Sequence, residues 1–208
     1  MSRGDDLTTT SYAILGLLAL RDWSTYELAQ QMQRSMRLWW PRAESRVYEE
    51  PKRLVRLGLA TSRDEPVGAR PRTVYVITDR GREALRDWLS DPAGIFRIEF
   101  ESMVKVFFAD QGTKPQLLDN IARIRDAARS DLATDRAFVQ EYSTTGGPFP
   151  QRLHLIGLAT DLYVRLLHAT IEWADDAEAE VASWPSAKSA PDPMRFMSRD
   201  STRFGRSS

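Results

Sequence analysis

The sequence predicts a mainly α-helical chain with one small β-hairpin, divided into two units. Three observations predict it. The first ninety residues read helix, helix, helix, strand, turn, strand, helix. The rest carries apolar residues at three- and four-residue steps over two long stretches, interrupted by GGPFP at 146–150. Finally, 42% hydrophobic and 28% charged residues in a 208-residue chain describe an ordinary globular composition.

Taken in order, residues 1–7 are a polar arm. The first helix is expected from Thr9 or Thr10 to Leu20, with Ile14, Leu15, Leu17, Leu18 and Leu20 as a wide apolar surface. The second starts at Ser24. Ser24 and Glu27 have the spacing of a capping box, and Leu28, Ala29 and Met32 form the buried stripe. A third is expected from near Pro41, since proline suits a first turn, to Gly58, a natural stop. Val47, Leu54 and Leu57 share its inner face, and Pro51 would kink it.

The period then changes. Residues 59–65 and 73–77 read as strands, with PVGARPR turning between them. Thr78 or Asp79 caps a helix carrying Ala84, Leu85, Trp88 and Leu89. A short apolar segment at 99–109, a long helix at 115–142 and a last one from about Gln151 to Ala182 follow. The expected domains are 8–91, 95–183 and a tail at 184–208, rich in Ser, Pro and Arg, expected to be disordered.

Composition narrows the chemistry. Twenty-nine basic residues balance 29 acidic ones, so net charge points to no partner. There is no cysteine, which removes disulfides, thiolate metal sites and cysteine nucleophiles. Neither a nucleophile–base set nor a glycine-rich phosphate loop is visible, so no enzyme and no cofactor is expected. His154 and His168 are fourteen residues apart on one helix, about 21 Å, and cannot share a metal. The acidic run Asp175, Asp176, Glu178, Glu180 reads as a solvated helix end. Apolar runs stay far below the ~20 residues of a membrane span, and the start is unlike a signal peptide, so a cytoplasmic protein is expected.

Three helices and a hairpin in this order form a winged helix–turn–helix, which presents its third helix to the DNA major groove. The charge distribution agrees. Residues 42–86 hold eleven basic and seven acidic groups, whereas 92–208 hold fourteen and sixteen. Three segments, TTTSYAILGLLAL (8–20), SRVYEEPKRLVRLGLAT (45–61) and RPRTVYVITDRGREALRDWL (70–89), resemble the PadR family of transcriptional regulators. Two positions depart from the family pattern. Ala43 stands where many members have a capping Ser, and Glu50-Pro51 where many have Ala-Leu.

Candidate DNA contacts follow. Ser45 and Arg46 stand at the start of the recognition helix, where Arg can pair with both guanine acceptors. Lys52 and Arg53 come next, one expected on the backbone and one on an acid such as Glu49. Arg70 and Arg72 flank Pro71 at the wing tip, and Thr25 and Tyr26 open the second helix, where free amides attract phosphate. The resemblance implies a DNA-facing position for Tyr48, with core packing of the ring and a hydrogen-bonded hydroxyl as the equal alternative. Trp39 and Trp40 are adjacent indoles that cannot share one core, which makes them candidates for an effector pocket. The last helix is apolar on two sides, and Leu155, Leu158, Leu162, Leu166, Ile171 and Trp173 are the expected dimerisation residues.

The resemblance implies a homodimer that represses by binding a pseudo-palindromic double-stranded operator, with a small-molecule effector as a further candidate partner that releases it. The alternative is a winged-helix protein-interaction module without DNA binding. Glu49 and Glu50, which would repel phosphates, and Pro51 in mid-helix keep that alternative open.

Overall fold

A computed structural model describes residues 7–36, 47–67, 70–92, 94 and 99–195, with the backbone alone at residues 35, 36, 67, 70 and 71. Two compact units divide the chain, Met1–Phe96 and Arg97–Ser208.

The first unit contains α1 (Thr9–Leu18), β1 (Trp23–Ser24), α2 (Thr25–Met36), α3 (Glu50–Arg56), β2 (Ala60–Val67), β3 (Arg70–Ile77) and α4 (Asp79–Ser90). Its helix starts are written in local chemistry. Thr8 caps α1 in a reciprocal box with Ser11, and the expected Ser24–Glu27 box forms at α2. Thr78 caps α4, accepting from the Gly81 amide at 3.1 Å while its hydroxyl donates to the Gly58 carbonyl. Gly58 adopts φ +70° directly after α3, and the Leu59 amide reaches back to the Leu54 carbonyl, which closes the helix. Ile14, Leu15, Leu18, Leu28, Val47 and Leu54 are completely enclosed.

The sheet is antiparallel with order β1-β3-β2. The two-residue β1 was not foreseen. It places Trp23 opposite Tyr75 and Ser24 opposite Val74, making β3 the central strand. Both edges of β3 are therefore paired along Val74 and Tyr75, and Val74, Tyr75 and Ile77, which alternate between its two faces, are all buried. Strands β2 and β3 also run further than expected, pairing from Ala60↔Ile77 out to Val67↔Arg70. Pro66 sits opposite Pro71, which the ladder tolerates where it needs no amide donor.

The third helix departs most from expectation. Residues 47–49 form turns and α3 begins only at Glu50, while 41–46 lie outside the described residues. Pro51 therefore occupies the first turn, where its missing N–H costs no intrahelical bond, and the expected mid-helix kink does not arise.

The second unit contains α5 (Glu101–Phe107), α6 (Lys114–Thr145) and α7 (Leu153–Ala182). Thr113 and Gln116 form a capping box at the start of α6, and Gly146 ends it at φ +74°. Leu117 and Ile121 of α6 meet Ala174, Ala177 and Val181 of α7, while Ala128 and Leu132 meet Leu167. Early residues of one helix meet late residues of the other, so the two run antiparallel.

Two expectations are corrected here. The acidic run is not a free solvated end, because Asp175 and Glu178 hold Arg125 of α6, and Glu180 is buried and accepts from the Trp184 indole and from Arg195. The tail is structured as far as Arg195. Lys114 donates to the carbonyls of Ala182 and Trp184 at 2.7 Å each, and Trp184 packs on the α6–α7 core. The segment expected to be disordered thus supplies part of the packing, and its remainder, 196–208, lies outside the described residues. No described helix is long and apolar enough to cross a membrane.

Candidate nucleic-acid interface

The start of α2 is fixed from below. Trp23 is buried, its indole donates to the Leu17 carbonyl at 2.7 Å, and the Arg21 guanidinium lies 3.5 Å from its ring centre. The Glu27 carboxylate accepts from both the amide and the hydroxyl of Ser24. Burial pushes Glu27 upward, but the bonds from Ser24 and Arg21 outweigh it and hold the carboxyl below its ordinary value. On this rigid base Thr25 is half-buried, while Tyr26 stands 66% exposed. The Tyr26 oxygen accepts from Gln30 at 2.9 Å, which leaves its own O–H able to donate. A cleft of about 590 Å³ beside α2 is lined by Arg21, Trp23, Glu27, Gln30, Gln31 and Arg34, among others.

Tyr48 is 54% exposed, next to buried Val47. Lys52 reaches Glu49 at 3.0 Å on the surface. Arg53 is mostly buried and donates to Glu50 at 2.8 Å. Both cations of the Lys-Arg step thus have neighbouring acids, Lys52 at the surface and Arg53 inside the head. Glu50 itself is only 7% exposed and also accepts from the Ser11 hydroxyl at 2.6 Å. Its charge is turned into the unit and met there by Arg53, which corrects the expected repulsion for Glu50, while the Glu49 side chain stays 75% exposed. Ser45, Arg46, Trp39 and Trp40 lie outside the described residues.

On the wing, Arg70 pairs its backbone with Val67. Arg72 is 46% exposed and its guanidinium grips one oxygen of Glu65 at 3.0 and 3.3 Å. Arg63 grips the other Glu65 oxygen and also Asp22 at 2.8 Å. Bonding from Arg72 first, and Arg63 second, holds the Glu65 carboxyl below the usual carboxylate range. Sequence reasoning missed Glu65, Arg63 and Asp22. The available signal was the Arg63–Glu65 spacing of two, which puts both side chains on one face of a strand.

In the second unit the expected dimer residues divide. Leu155, Leu158 and Leu162 are exposed, at 48, 72 and 50%. Leu166 is half-buried, while Ile171 and Trp173 pack partly on their own α6–α7 core. Phe107 ends the mostly uncovered helix α5 and Phe108 caps it, and both are exposed. Among the described residues no group of three His, Asp or Glu side chains is placed to hold a metal.

Residues 14–87 match the model of the transcriptional regulator PadR-like family, and residues 100–182 match that of the virulence activator alpha C-terminal family. The chain is 32% identical over 126 residues to the negative transcriptional regulator PadR of Bacillus subtilis (strain 168), spanning 58% of this chain and 69% of that protein. Its fold is similar to the crystal structure of Bacillus subtilis PadR in complex with operator DNA, with a TM-score of 0.71 at 22% identity, covering 84% of this chain and 99% of that one. The structure of the same Bacillus protein with p-coumaric acid gives a TM-score of 0.67 at 20% identity, covering 85% and 100%.

Proposed function

The chain belongs to the PadR-like family of transcriptional regulators, and from that premise we propose that it is a repressor working as a homodimer on a pseudo-palindromic operator, released by a small-molecule effector. The observation that carries the DNA-binding part is the exposure of Tyr26 and Tyr48, two hydroxyl-bearing rings on the unit that also carries the wing arginine Arg72. Thr25, at the α2 start, adds free amides for a phosphate. Ser45 and Arg46 are proposed as the base-reading pair; Lys52, Arg70 and Arg72 as backbone contacts. Arg53, held on Glu50, serves the head's internal structure first.

The dimer is proposed through the outer face of α7, where Leu155, Leu158 and Leu162 expose apolar surface beside an inner face already used on α6. Two heads related by a two-fold axis fit half-sites ~34–36 Å apart or a multiple of it. Such a regulator works in the cytoplasm, where the DNA is. The protein-interaction alternative keeps only exposed Glu49 in its favour, because Glu50 faces inward and Pro51 sits in a first turn.

The test is a fluorescence-anisotropy titration of the protein on the DNA upstream of its own gene. If a dimer makes ~6–10 phosphate contacts, affinity falls ~10³–10⁵-fold between 50 and 200 mM salt. A flat salt response overturns the reading. Repeating the titration with phenolic acids, beginning with p-coumaric acid, tests the effector. Release at saturating ligand supports it, and unchanged affinity across the set counts against it.

A further inference from the structure

We propose that Glu65 is a specificity-determining residue of the wing: its carboxylate occupies the phosphate-gripping edge of Arg72 and yields it to a DNA backbone held in a fixed register. The proposal rests on the DNA-binding reading above.

Three features carry it. First, the contact has the geometry of anion capture. Arg72 offers Nε and Nη2 to Glu65 Oε2 at 3.3 and 3.0 Å, a side-on edge with which a guanidinium also takes a phosphate. Second, the hairpin fixes the pair. Glu65 and Arg72 are direct cross-strand partners, and Pro66 and Pro71 beside them stiffen both strands. Third, the arrangement is asymmetric. Arg63 holds the other oxygen of Glu65 and is itself tied to Asp22. When Glu65 lets go of Arg72 it stays anchored by Arg63, whose second partner keeps it in place. Arg72 is then the group delivered to DNA, and Glu65 the gate.

The network of Asp22, Arg63, Glu65 and Arg72 carries no net charge. It therefore cancels the long-range pull that two wing arginines would exert on any polyanion. All four groups are partly exposed, and ion pairs in water are weak, so a phosphate placed against Arg72 can replace Glu65. On the operator, base contacts hold the head in register and the exchange takes place. On random duplex the register wanders, and Arg72 remains on Glu65.

The test compares wild type, Glu65→Gln and the double variant Glu65→Gln/Arg72→Ala, all full-length, on upstream DNA and on a random duplex at several salt concentrations. For Glu65→Gln, affinity for random duplex rises roughly 5- to 10-fold and the slope of log K against log salt steepens by about one. On the operator the slope is unchanged, because that contact is already made. The double variant has the wild-type net charge and loses the gain on random duplex; a gain that persists there does not pass through Arg72, and the gate is wrong. An unchanged slope for Glu65→Gln on random duplex also overturns the role of Glu65, while leaving DNA binding intact. Absence of wild-type binding to either duplex instead removes the DNA-binding reading itself, and the gate with it.

Discussion

The hydroxyl of Ser11 donates a 2.6 Å hydrogen bond to the carboxylate of Glu50, thirty-nine residues later in the chain, at a site where both side chains are buried. Arg53 closes the group by donating to Glu50 at 2.8 Å. The bond joins the capping box of α1 to the first turn of α3, and so ties the position of α3 to the base of the head. Hydrogen bonds to charged groups are worth about 1.5–3 kcal/mol. Ser11→Ala is accordingly expected to destabilise the first unit by about that amount, since it leaves a buried carboxylate short of a donor and also removes one half of the α1 cap. Urea denaturation followed by Trp fluorescence measures it, and a midpoint equal to wild type refutes the assignment.

Gly81 is required by close approach rather than by backbone dihedral. A Cβ there would stand 2.1 Å from the Leu59 carbonyl oxygen and 2.9 Å from the Ile77 side chain. Gly16, within α1, would meet nothing within 4 Å. The two make a matched pair. Gly81→Ala forces α4 off the hairpin and costs about 3 kcal/mol, at the top of the overpacking range. Gly16→Ala gains up to about 1 kcal/mol from helix propensity. Thermal melts of the two variants should move in opposite directions.

How much of this was legible in the sequence depends on range. The Ser24–Glu27 box, the Thr78 cap and the Gly58 stop involve residues three or four apart, and they read directly from spacing. Strand β1 has two residues and hence no period to detect. The inward turn of Glu50 depends on Ser11 and Arg53, so no local pattern announces it, and an acid next to a basic step reads as surface. The tail lacks apolar periodicity, yet Trp184 and Arg195 fasten it through Glu180, a contact that composition does not register. Of the candidate site, exposed Tyr26, Tyr48 and Arg72 stand as surface groups, but the carboxylate facing Arg72 comes from the opposite strand.

Asp135 on α6 gives a pH-dependent expectation. Burial pushes its carboxyl above the ordinary value. The folded state thus binds the proton more tightly than the unfolded one. Its contribution is most favourable below the unfolded value of ~3.9 and is lost as pH rises through the folded value. Asp135→Asn should therefore raise the melting temperature at pH 7, and the gain should shrink toward zero as pH falls to about 4. A gain that is constant between pH 4 and 7 refutes desolvation as the cause.

Leu158 and Leu167 face opposite ways on α7, and that contrast tests the proposed dimer. Leu158 is 72% exposed, whereas Leu167 is buried against Ala128 and Leu132. In a lone subunit Leu158→Glu alters only surface, with an expected effect within about 0.5 kcal/mol on stability. In a dimer it places a carboxylate inside an apolar contact, where the desolvation penalty has nothing to offset it. Light scattering after size exclusion should find wild type at twice the 23.7 kDa subunit mass and Leu158→Glu at the single mass, with helical content preserved. Leu167→Glu should instead unfold the α6–α7 pair and lose helical circular dichroism. Splitting the dimer also removes the effective concentration that links its two heads, so Leu158→Glu should bind the operator roughly 10²–10⁴-fold more weakly. A Leu158→Glu variant that remains at twice the subunit mass moves the interface away from this face of α7.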